Sequence, residues 1–90
     1  MTSADHPKSG YKLLERTRRA RSGWGQRHFK RLYAAFGFVG HERAKHVLYD
    51  HPEHPDLVGN VPRHDSLRDW VANDAIAVID ELLKREGEPS

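Results

Sequence analysis

The chain has no cysteine, which excludes disulfides and thiolate metal sites as sources of stability. It also lacks an apolar run near the ~18 residues of a membrane helix, and no stretch resembles a secretory leader. The expectation is a cytoplasmic protein without a membrane partner. Apolar residues are scarce: they make up 37% of the 90 residues, aromatics 9%, and the mean hydropathy is −0.84. A chain of this size buries only about 60–65% of its unfolded surface, so it has material for one core. The patterned clusters place a single domain over residues 8–85, with a basic leading helix and loop at 8–25 and the core at 26–85. Residues 1–7 and 86–90 are expected to be flexible.

Net charge is only +2, but the halves differ in sign. Residues 1–45 carry eleven Lys and Arg against Asp5, Glu15 and Glu42, giving +8. Residues 46–90 carry Arg63, Arg68, Lys84 and Arg85 against ten acids, giving −6. Cations clustered without interleaved acids suit a polyanion, and RNA is the partner the first half points to.

Lys8 to Arg21 reads as a helix with Ser9 as its candidate N-cap and a narrow apolar face of Leu13, Leu14 and Thr17. Ser22-Gly23-Trp24-Gly25 breaks it, and Trp24 is expected to pin the loop to the core. A second helix spans Gln26 to Phe36, where Phe29, Leu32, Tyr33 and Phe36 fall at i, i+3, i+4 and i+7; His28 is expected to face solvent. Gly37 stops this helix, Phe38-Val39 opens a strand, and Gly40 to Lys45 reads as a turn. His46-Val47-Leu48-Tyr49 is the second strand, ended by Asp50 and Pro52, and Asp56 to Val61 the third, with long polar connections on both sides of the third. The last helix starts at Asp65 or Asp69 and runs to Arg85, with Leu67, Trp70, Val71, Ala75, Val78, Ile79, Leu82 and Leu83 as its stripe and Gly87 as its stop. Asn73-Asp74 marks a possible irregularity in it. The order α-α-β-β-β-α predicts an α+β fold, a three-stranded antiparallel sheet with helices packed on one face.

Five of the seven histidines lie between 41 and 64, namely His41, His46, His51, His54 and His64. They match no zinc signature, since no HExxH and no histidine pair at i, i+4 on a helix occurs, and no metal or cofactor is expected. The sparse serines give no nucleophile elbow. His46 stands apart because it heads an apolar strand beside Lys45 and Arg43. An imidazole can take a proton from a ribose 2′-hydroxyl or give one to a leaving 5′-oxygen, while nearby cations hold the phosphate. Arg16, Arg19, Lys30 and Arg63 complete the candidate RNA-binding set. A strand histidine held by ordinary hydrogen bonds is the bland alternative.

Several short stretches carry a family resemblance. They are Tyr11-Lys12-Leu13-Leu14-Glu15, then Phe29 and Leu32 with Ala35-Phe36-Gly37-Phe38, and a histidine opening the strand before Tyr49-Asp50-His51-Pro52. Val61-Pro62-Arg63-His64 and Val78-Ile79-Asp80-Glu81-Leu82 follow. From Gly10 to Arg85 the chain resembles the HicA family of toxin–antitoxin ribonucleases. The resemblance implies a double-stranded-RNA-binding-domain-like fold, metal-independent cleavage of mRNA, His46 as the active-site histidine and neutralisation by a HicB-type antitoxin. Where that family has Gly-Ser-x-His, this chain has Arg43-Ala44-Lys45-His46. The substitution removes a flexible turn residue and a hydroxyl that can bind phosphate, and puts a cation there instead. Two other readings stand beside the endoribonuclease: a non-catalytic RNA-binding or antitoxin-binding module, and a protein-binding adaptor that uses the acidic last helix.

Overall fold

The computed structural model describes residues 6–64 and 66–87. Its elements are α1 Lys8–Arg19, α2 Gln26–Ala35, β1 Val39–Glu42, β2 His46–His51, β3 His54–Pro62 and α3 Asp69–Arg85. The strands form one antiparallel sheet in the order β1-β2-β3. This is the α+β arrangement and element order the sequence predicts. Asp65, the alternative start of the last helix, lies outside the described residues, as do 1–5 and 88–90. At the inner margins of the expected flexible ends, His6 Nε2 lies 2.8 Å from Glu86 Oε1.

The exit from α2 fixes where the sheet begins. Gly37 takes φ +87°, a conformation side chains resist, and lets its N–H reach the Ala34 carbonyl and the Phe38 N–H the Tyr33 carbonyl, both at 3.1 Å. These two bonds are a Schellman cap, and the Tyr33 and Phe38 rings close it with centroids 5.3 Å apart. Phe38 therefore enters the core as β1 departs.

Alternation along β2 assigns the two faces of the sheet. Val47, Tyr49 and His51 are buried, as are Leu57, Gly59 and Val61 on β3, and together with Phe38 they meet α2 and α3. His46, Leu48 and Asp50 point to the opposite, outer face, which none of the described helices covers. Phe29, Leu32 and Tyr33 from α2, Phe36 at its C-cap, and Val71, Ala75, Ile79 and Leu82 from α3 fill the space above the sheet. Leu13, Leu14 and Thr17 are all buried, so α1 packs firmly on α2 and α3 and belongs to the core.

Several boundaries differ from the sequence reading. α1 ends at Arg19, with Pro7 rather than Ser9 at its N-cap position. β1 extends to Glu42, so the turn shrinks to Arg43-Ala44-Lys45; among the described residues no side-chain-bearing residue has positive φ, and the hairpin turns without the flexibility of glycine. β3 runs from His54 to Pro62, joined to β2 by Pro52-Glu53 alone rather than by a long connection. There the buried His51 accepts the Glu53 N–H at Nδ1, 3.1 Å away. Trp70 is 48% exposed because the buried stripe of α3 is rotated toward Ala72 and Ile76, and Asn73-Asp74 leaves the helix unbroken.

His28 corrects another expectation. It is half-buried, stacked on Trp24 and bonded to Thr17, rather than facing solvent. Trp24 does anchor its loop: its Nε1–H donates to the Ala20 carbonyl, and the ring packs against the core.

Candidate functional site

His46 opens β2 on the outer face, opposite Pro62 of β3. It is half-buried, yet among the described residues no hydrogen bond or ion pair engages its ring. The bland reading of a histidine satisfied by internal bonds therefore lacks its bonds. A half-exposed imidazole with both nitrogens uncommitted is available to a ligand.

The turn beside it is tied by three contacts. The Arg43 N–H donates to the His46 carbonyl at 2.9 Å, and the pairing of Val39 with Asp50 and His41 with Leu48 continues so that Arg43 stands opposite His46 on the same face. The Arg63 N–H donates to the Lys45 carbonyl at 3.1 Å, which sets the end of β3 against the turn. Arg63 itself is committed inward: its Nε donates to the Arg43 carbonyl at 3.0 Å and its Nη2 pairs with Glu42. Arg43 and Lys45 keep exposed side chains.

The fold thus brings His46, Arg43, Lys45 and Arg63 to one end of the sheet. Lys30 projects from α2 over a cleft of about 400 Å³ that Arg63 also lines. Arg16 and Arg19 lie elsewhere, on α1, which packs on α2 and α3; Arg19 also pairs with Glu15 at 3.5 Å. His64 is exposed just past β3, where its N–H donates to the Pro62 carbonyl.

One residue was not singled out from the sequence. His41 sits on the outer face, its Nε2 2.9 Å from Asp50 Oδ1, and the register makes it a diagonal neighbour of His46. Such diagonal pairs lie about 7–8 Å apart, within reach of a shared small ligand. The period-2 pattern of β1 held the signal, but only with the turn placed at 43–45 rather than 40–45. Among the described residues no group of three or more His, Asp or Glu is placed to hold a metal ion, and no helix is long and apolar enough to cross a membrane. A scan of protein-family models and searches of curated proteins and solved structures find no match to this chain.

Proposed function

We propose that this chain is a toxin-type endoribonuclease of the HicA kind, cleaving mRNA in the cytoplasm without a metal and neutralised by a HicB-type antitoxin. The observation that supports this most is the His46 ring, without a hydrogen-bond partner among the described residues, on the uncovered face of the sheet, with Arg43 opposite and Lys45 beside it. In the reaction, His46 takes the proton of a ribose 2′-hydroxyl as that oxygen attacks the adjacent phosphorus. The bond to the 5′-oxygen breaks, and that oxygen takes a proton from His41, which Asp50 holds in place. Arg43 and Lys45 oppose the charge that grows on the phosphoryl oxygens. The products are a 2′,3′-cyclic phosphate and a free 5′-hydroxyl.

A second reading rests on Arg43-Ala44, which replaces the Gly-Ser of the family pattern: a domain of double-stranded-RNA-binding-domain-like fold that binds RNA or an antitoxin without cutting. Incubating the purified protein with RNA in chelator separates the two. The nuclease reading expects fragments with cyclic phosphate ends. Fragments with 5′-phosphate ends, formed only when divalent metal is present, indicate a metal-activated water instead, and RNA that is bound but intact under both conditions favours the binding module.

A further inference from the structure

The margin of the sheet formed by β1 is open. Among the described residues β1 pairs with β2 alone, and all four of its residues are exposed. Since Arg43 bonds the His46 carbonyl, the antiparallel alternation turns the main-chain groups of 39, 41 and 43 toward β2 and those of Gly40 and Glu42 outward. Among the described residues, only the Glu42 carbonyl of these has a partner, the Arg43 guanidinium at 3.2 Å. β1 carries none of the proline or lysine that blunts exposed edges. The opposite margin is protected: β3 contains Pro55 and Pro62, and its Asn60 N–H donates to Asp74 of α3 at 3.2 Å.

Behind the open edge lies the cleft of about 400 Å³ between α2 and the inner face of the sheet. Arg27, Lys30 and Arg63 line it against the single carboxylate of Glu42, and among the described residues neither Arg27 nor Lys30 has an ion-pair partner. A Cβ at Gly40 would come within 3.0 Å of the Tyr49 ring, so at this position no side chain separates the edge from the cleft floor. A strand added to β1 would send alternate side chains into this cationic cleft and the others beside Val39, which is 47% exposed.

We propose that the β1 edge and the cationic cleft behind it dock an extended acidic segment of a partner protein as a fourth strand. A peptide backbone satisfies both the outward N–H and C=O groups, whereas phosphate accepts from the first and is repelled by the second and by Glu42. Pairing β1 with a second copy would bring Arg27 and Lys30 of both copies together, so a partner of opposite charge fits better. The site faces inward, away from His46, and does not depend on the nuclease reading.

The test uses the full chain and a labelled seven-residue peptide alternating glutamate with valine, followed by fluorescence anisotropy and amide exchange. The glutamate peptide is expected to bind and to slow exchange at the Gly40 and Glu42 amides, and its lysine counterpart is not. The double variant Arg27→Glu/Lys30→Glu should weaken binding ~10-fold or more, while the equally charged Lys12→Glu/Lys84→Glu control, built at exposed positions, should not. His46→Ala should bind as the parent does. Absence of binding, equal loss in the control, or protection confined to other amides overturns the proposal. So does protection of Gly40 and Glu42 by self-association in sedimentation, or by single-stranded RNA in place of the peptide.

Discussion

The His28 imidazole lies flat on the Trp24 indole, with centroids 3.9 Å apart and planes 11° from parallel. Its Nε2 is 2.7 Å from the Thr17 hydroxyl, whose one proton goes to the Leu13 carbonyl at 2.7 Å. Nε2–H is therefore the donor, and the contact fastens α2 to α1. Burial first, then Arg31 and Arg16, lower the His28 pKa from 6.5 to about 4.

Acid should loosen this joint. The unfolded chain takes its His28 proton near pH 6.5 and the folded chain only near 4, so the contribution is complete above pH 6.5 and is lost as pH falls through 4. Allowing for partial exposure, it amounts to about 1–3 kcal/mol. Urea midpoints of the parent should fall between pH 7 and 5, and His28→Gln, which keeps a donor for Thr17 without titrating, should show a smaller fall. Equal falls would remove His28 as the cause.

Tyr33 carries a different signature. Its hydroxyl is buried without a hydrogen-bond partner among the described residues, and burial holds its pKa far above the usual phenol range. A Cβ at Gly59 would overlap that hydroxyl. Tyr33→Phe should therefore stabilise the fold by about 1 kcal/mol, because it removes an unpaired buried group. Gly59→Ala should destabilise it by about 1–3 kcal/mol, and by less when combined with Tyr33→Phe. Thermal melts of the three variants check the sign and the coupling.

What was legible in the sequence was local. The end of α2 could be read because Gly37 both ends the apolar period and allows positive φ, and Leu82 and Ile79 followed from helical spacing. The first hairpin was misplaced because its turn, Arg43-Ala44-Lys45, needs no glycine, so the glycine nearest it, Gly40, drew the boundary into the strand. That shift hid His41 as a face-mate of His46. His28 was misread because its partners, Thr17 and Trp24, lie on other segments, and no period within α2 reports them. The cleft was invisible for the same reason: α2, β1 and Arg63 meet only in the folded chain.

The RNA contact proposed at the His46 end is tested by salt dependence. Reversing Arg43 and Lys45 to Glu should weaken RNA affinity and flatten the slope of log affinity against log salt by roughly one unit per lost phosphate contact. Reversing Arg16 and Arg19 instead tests the face carried by α1. A slope altered only by the second pair would move the RNA surface away from the His46 end.

The acid–base role proposed for His46 is tested most directly by the RNA cleavage rate of His46→Ala beside the parent, in chelator, with a melting curve for each. Among the described residues the ring has no hydrogen bond to lose, so the melting temperature should hold while the rate falls ~100-fold or more, as for a lost acid–base group. A variant that melts as the parent does and cuts as fast would contradict the account.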